Sequence, residues 1–398
     1  MFAPAHLCTK CKGSKMLCGQ LTCPILEKMN LQKALFMDIK KDVFGPSPPN
    51  IFVGHSNYPY VSVGAIASEE IVNDDPRKMF GQSINQIVED RSKLFRSAVK
   101  KDVMSRDKYI TDMREIVLSE KSVDMELNFK FAPKPEVQFS PLEQPMGPLG
   151  VLENYRVAGN PSIPKKVDSI VNENITATLA MEELVKKGYD NYYLTKVFSS
   201  GAFGREQFKK LVPTRWSITA SDDIISKIYM NQIRNSPELS DYELYHCEYL
   251  ENSYVIMMMP GPWEFENFEA WARGSLWNLS GDLSYITVEH EFNEGRSKYA
   301  DLQVGGYYAS RFAVTENLFG RNKQARAIVI REINPGYVVP VGVWQVRENV
   351  RNAFLKGPIK FSTLDDMFTY ARILLKNPLE EYIKKDIILK QRKIRDWF

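Results

Sequence analysis

Four cysteines stand within sixteen residues near the start of the chain: Cys8, Cys11, Cys18 and Cys23. Thiolates at that density can close one tetrahedral metal site, and the Cys8/Cys11 pair has the spacing of a zinc knuckle. Four protein ligands leave no open coordination position, so the site would hold structure rather than perform chemistry. Zinc suits the set. An iron–sulfur cluster is the competing occupant, because Cys23-Pro24 matches the Cys-Pro ending of some cluster motifs. Four reduced, unligated thiols are the plain alternative. Lys10, Lys12 and Lys15 suit phosphates or simply water.

A second group lies at Glu289, His290 and Glu291, with Asp282 upstream and Asp301 downstream. On a strand, Glu289 and Glu291 share one face. Carboxylates so grouped can hold Mg²⁺ or Mn²⁺ for phosphodiester cleavage. The alternative is a solvated strand edge with His290 turned to the core. Lys209, Lys210, Arg215 and Trp216 join cations to a ring able to stack on an exposed base. Arg215 as a salt-bridge partner and Trp216 as a core side chain are the structural alternative. Gly201–Arg205 reads better as an ordinary turn than as a phosphate cradle before a basic helix. Arg91, Lys93, Arg96, Lys100 and Lys101 read as a basic helical stretch with a solvated face. Cys247 reads as a core thiol. There is no Walker A loop, serine nucleophile elbow or His-Glu-x-x-His helix, so catalysis is left open.

The final residues run Gln391-Arg392-Lys393-Ile394-Arg395-Asp396-Trp397-Phe398. Glutamine, two variable residues, an aliphatic, two more variable residues and two aromatics make the clamp-binding peptide pattern. In one short 3₁₀ turn, Ile394, Trp397 and Phe398 project together as an apolar plug. The Gln391 amide can bond in a separate pocket. The expected receptor is the ring-shaped clamp that slides on DNA. The alternative has Trp397 and Phe398 packed on the protein's own core.

These groups need elements to position them. Periodicity predicts helices around Phe80–Phe95, Tyr109–Val117, 174–187 (closed by Gly188), Tyr307–Leu318, Val346–Phe354 and Asp365–Leu375, with another short one from Pro378. Strands are predicted at Val123–Phe131, Glu243–Leu250, Tyr254–Met259, Leu283–Glu291, Ala325–Ile333 and Tyr337–Val343, with irregular ones in Ile51–Val63. Glu251-Asn252 would turn one hairpin, and Phe44–Pro49 reads as a rigid connection. The mixed order predicts an α+β fold with a mixed sheet core, a small N-terminal four-cysteine zinc module and an extended C-terminal tail. The expected domains are 1–30 (metal module), 31–383 (core, with a possible internal boundary at the proline-rich 133–150) and 384–398 (flexible tail).

Of 398 residues, 44% are hydrophobic and 25% charged, which is ordinary for a globular chain. Fifty-two basic against 49 acidic residues give a net charge of +3, too little for nucleic-acid binding by bulk field. No stretch reaches the ~18 apolar residues of a membrane span. Clustered reduced cysteines and the lack of a signal-peptide layout fit the cytoplasm, with association to the nucleoid.

The chain resembles the archaeal Nre family of DNA repair proteins over nearly its whole length. The resemblance rests on Cys18-Gly19-Gln20-Leu21-Thr22-Cys23-Pro24-Ile25-Leu26, Phe44–Pro49, Leu211–Ala220, Gly305–Arg311 and the terminal peptide. It implies a role in DNA damage repair, with recruitment to the clamp PCNA through Gln391, Ile394, Trp397 and Phe398. It implies a zinc-finger-like element at Cys8, Cys11, Cys18 and Cys23, and no known reaction. Three readings follow: a clamp-recruited repair factor that contacts DNA, a metal-dependent nuclease delivered by the same tail, or an adaptor that does not touch DNA.

Overall fold

The computed structural model describes residues 40–133, 146–275, 278, 283–337 and 339–390, together with residues 11, 15–17, 23 and 26. The described body divides at Ile225/Ser226 into two compact units. The first contains β1 (Asp42–Ser47), β2 (Ile51–Val53), β3 (Tyr60–Ala67), α1 (Pro76–Met79), α2 (Ile84–Ser92), β4 (Phe95–Asp102), α3 (Lys108–Leu118), β5 (Val123–Phe129), β6 (Leu149–Val157), α4 (Lys165–Val171), α5 (Ala177–Lys186) and α6 (Asn191–Ser199). α7 (Thr214–Ile233) begins in it and runs across the division.

Its six strands order as β1-β5-β6-β4-β3-β2, with β4 and β6 parallel and the other neighbours antiparallel. β5 alternates as its sequence requires: Val123, Met125, Leu127 and Phe129 are buried while Asp124 faces solvent. The connector 133–150 joins β5 to β6, which are neighbours in this sheet.

Two expectations fail in this unit. Phe44–Pro49 is mostly β1, not a connection. β1 is an edge strand, where Pro46 removes no obligatory ladder donor. The basic stretch Arg91–Lys101 is helical only to Ser92, and then becomes β4. Arg96 is buried there, its guanidinium giving two 3.0 Å bonds to the Gly147 carbonyl. Lys93 pairs with Glu70 and Glu89, and Lys101 with Asp107.

The second unit contains β7 (Tyr242–Tyr249), β8 (Asn252–Met259), β9 (Glu264–Trp271), β10 (Tyr285–Glu291), α8 (Gly305–Arg321), β11 (Arg326–Ile333), α9 (Trp344–Leu355), β12 (Ile359–Phe361), α10 (Leu364–Leu374) and α11 (Leu379–Ile383). The strands order as β10-β9-β11-β8-β7-β12, with β9 and β11 parallel. Both units are mixed sheets with helices, an α+β architecture.

β8 and β9 are buried along their whole length, because helices cover both faces of the sheet. Val255, Met257, Met259, Phe268 and Ala270 meet Met367, Ala371, Leu379, Tyr382 and Ile388 on one face. On the other, Tyr245 packs edge-on against Phe354 of α9. Residues 384–390, read in the sequence as tail, pack here because Ile388 completes that apolar cluster. The β7–β8 turn uses Leu250 and Glu251, both at positive φ (49° and 58°), one residue earlier than expected. Tyr337–Val343 is not a strand in its described residues; its chain turns, and the Val341 amide donates to the Tyr337 hydroxyl at 3.2 Å.

Candidate nucleic-acid interface

In the first unit, three segments meet through their backbones beneath an exposed aromatic pair. The Val103 amide donates to the Pro59 carbonyl at 3.0 Å, and the Leu211 amide to the Val103 carbonyl at 2.8 Å. Thr214 accepts from the Val53 amide at 3.0 Å, tying the start of α7 to the end of β2. The Pro213 carbonyl takes the Trp216 and Ser217 amides at 2.8 and 2.9 Å and closes the first helical turn. That turn buries Ser217 and turns Trp216 outward.

Trp216 is 46% exposed and Tyr58 42% exposed, with ring centroids 5.2 Å apart and planes inclined by 49°. Tyr60, 65% exposed, starts β3 immediately beyond. The Tyr58-Pro59-Tyr60 turn is held by the Tyr60 amide on the Asn57 carbonyl (2.9 Å), with Asn57 in the left-handed region at φ 63°. Sequence reasoning found Trp216 but not Tyr58. The available signal was two tyrosines flanking a proline in an otherwise polar run.

The four predicted contact residues divide. Arg215 and Lys210 are exposed and make no ion pair among the described residues. Lys209 instead is a brace: its ammonium donates to the Val171 carbonyl at 2.8 Å and pairs with Glu206 at 3.0 Å. That hydrogen bond and charge hold the Glu206 carboxyl below its ordinary pKa. Gly201–Arg205 is a turn leading to a short 3₁₀ segment, Glu206–Phe208, rather than to a basic helix. Gly201 sits at φ 70°, and a Cβ there would lie 2.4 Å from the Lys210 carbonyl oxygen, so glycine lets the two chains touch.

In the second unit the grouped acids of β10 are each held by donors. Glu289 pairs with Arg296 at 2.8 Å and accepts from the Leu302 amide at 2.9 Å. Glu291 pairs with Arg311 at 2.8 Å, both side chains fully buried, and accepts from the Trp263 indole at 3.2 Å. His290 lies edge-on to Phe292, its pKa lowered by burial and then by Arg296. Asp301 is exposed, and Asp282 lies outside the described residues. Among the described residues no group of three or more His, Cys, Asp or Glu is placed to hold a metal. Cys247 is buried in β7, its thiol pushed up by desolvation.

Cys11 is buried and Cys23 half-buried, neither in a disulfide; Cys8 and Cys18 lie outside the described residues, as do Gln391, Ile394, Trp397 and Phe398. No described helix is long and apolar enough to cross a membrane.

The chain matches the family profile "Archaeal Nre, N-terminal" over residues 17–278 and "Archaeal Nre, C-terminal" over 291–397. It is 35% identical over 377 residues to DNA repair protein NreA of Archaeoglobus fulgidus, covering 93% of this chain and 94% of that one. It is 34% identical over 329 residues to DNA repair protein NreA of Haloferax volcanii, covering 78% of each. It is 31% identical over 393 residues to DNA repair protein NreB of Archaeoglobus fulgidus, covering 98% of each. No solved structure matches. Profiles that together span nearly the whole sequence, and relatives above 30% identity along most of their own lengths, lead to one conclusion: the chain belongs to the archaeal Nre family.

Proposed function

We propose that this chain is a DNA repair factor drawn to the sliding clamp PCNA by Gln391, Ile394, Trp397 and Phe398, and that it touches DNA itself. The repair role is supported by three relatives named as DNA repair proteins along most of the chain. The clamp role is carried by one observation: the peptide pattern begins at Gln391, one residue past a segment clasped to the second unit. Tyr382 donates to Glu332 at 2.8 Å, the Ile387 amide to Glu266 at 2.9 Å, and Arg326 to the Ile388 carbonyl. An apolar plug leaving a fixed point suits capture by a partner pocket, with aromatic anchors as the hot spots. Folding on binding costs about 2–5 kcal/mol of ordering, so moderate affinity is expected.

The test is Trp397→Ala combined with Phe398→Ala, with clamp binding followed by surface plasmon resonance. The expected result is loss of binding with the thermal midpoint nearly unchanged. A large drop in that midpoint would mean that the rings pack on their own molecule and would defeat the proposal.

We further propose that Cys8, Cys11, Cys18 and Cys23 hold a structural zinc ion. Four thiols in sixteen residues are the donor set zinc takes in closed sites. Metal analysis and a visible spectrum of anaerobically purified protein check this. Iron with a charge-transfer band would replace zinc by a cluster.

A further inference from the structure

We propose that Tyr58 and Trp216 form a stacking platform for the bases of unpaired DNA, with Lys210 and Arg215 meeting the adjoining phosphates. The inference rests on the repair reading for DNA as the nucleic acid, and it names the form of DNA bound.

A half-exposed indole on the first turn of a 20-residue helix adds little to the core, since the same turn already buries Ser217. Tyr58 shares no strand or helix with it, yet the two rings lie at 5.2 Å with much of each surface in water. Apolar aromatic area left exposed in one place, with Tyr60 beside it, is a mark of an interaction site rather than of packing. The platform is also set before any ligand arrives. The Val103–Pro59, Leu211–Val103 and Val53–Thr214 bonds fix the three segments that carry it, so little ordering is left for binding.

Charge selects the ligand. Lys210 and Arg215 make no ion pair among the described residues. Of the acids in the flanking segments, Glu206 is paired with Lys209 and Arg106 and Asp107 with Lys101, while Asp102, opposite Tyr60, accepts from the Met104 amide. The first turn of α7 carries no acidic residue. What remains is rings plus uncompensated cations, the pairing that binds single strands: stacking tolerates any base, and the cations take the backbone. In a duplex the base faces are already stacked on one another and cannot reach the platform. A membrane or an acidic peptide would use the cations but has no planar faces to cover the two rings.

The test measures fluorescence polarisation of the full chain with labelled oligothymidylate, a duplex of equal length and oligouridylate. The single strand is expected to bind about ten-fold or more tightly than the duplex. Trp216→Ala and Tyr58→Ala are each expected to weaken single-strand binding about ten-fold while duplex binding stays as it was. Trp216→Phe should keep most of the affinity, which separates loss of stacking from a damaged fold. Unchanged affinity in Trp216→Ala, or equal affinity for duplex and single strand, would overturn the proposal. So would a ten-fold preference for oligouridylate, which would make RNA the ligand. If the unaltered chain binds no nucleic acid at all, DNA contact falls as well. Clamp capture is then judged separately, by the Trp397 and Phe398 variants.

Discussion

Glu266 and Asp386 are two carboxyl groups placed against each other inside the second unit, both almost wholly buried. One oxygen of Glu266 accepts from the Ile387 amide, and the other has no donor unless a proton lies between the two acids. Burial, followed by the hydrogen bond to Asp386, raises the Glu266 pKa, and burial also raises that of Asp386. The folded state therefore keeps a proton that the unfolded chain gives up above about pH 4.3. Stability is fully present below that value and is lost as pH rises through the raised folded value. Over that window the loss is on the order of 1 kcal/mol per pH unit. Glu266→Gln, neutral at every pH, is expected to flatten this slope in denaturant melts taken from pH 5 to 9. A wild-type profile already flat over that range would refute the shared proton. Neither acid signals this pairing in the sequence, because their meeting depends on where residues 386–389 settle. The same holds at β10: Glu289 and Glu291 are legible as a group, but Arg296 and Arg311, which claim them, become neighbours only on folding.

Elements that follow one period were legible; those decided by distant partners were not. β5 and β8 announce themselves, the first by alternation and the second by a continuous apolar run. β9 went unread because Glu264, Glu266, Asn267 and Glu269 make it look solvated. In the structure it is buried throughout, since each of these side chains has at least one partner elsewhere: Arg326, Ile387, Gln303 and Arg331. Of the candidate interface, Arg215 and Trp216 were legible as a cation beside an aromatic. Tyr58 was not, because the turn before β3 and the start of α7 lie far apart in the chain. The entry to α8 carries its own test. Val304 sits at φ 49°, ψ −127°, a region a β-branched residue rarely adopts, and it is 40% exposed. Such backbone costs roughly 1–3 kcal/mol, and glycine relieves it at about 0.5–1 kcal/mol of chain entropy. Val304→Gly is expected to leave the urea midpoint unchanged or to raise stability by up to about 2.5 kcal/mol. A fall beyond that would show that valine's contacts outweigh the strain.

At the scale of the whole chain, 52 basic and 49 acidic residues nearly cancel, so any grip on DNA is local. Two cations on a single strand predict a shallow salt dependence: log affinity against log salt should slope by about −1 to −2. A slope near −6 would bring in basic surface beyond Lys210 and Arg215. The mixed element order made the α+β class legible. The division at Ile225/Ser226 was not, since it falls inside α7, where composition does not change. The clasped segment up to Lys390 sets a leash. Ile394 lies four residues further on, at most about 14 Å of extended chain. A ring gripping Ile394 would hold the second unit against its rim with almost no slack, and the unit's bulk would crowd a rival from the next seat.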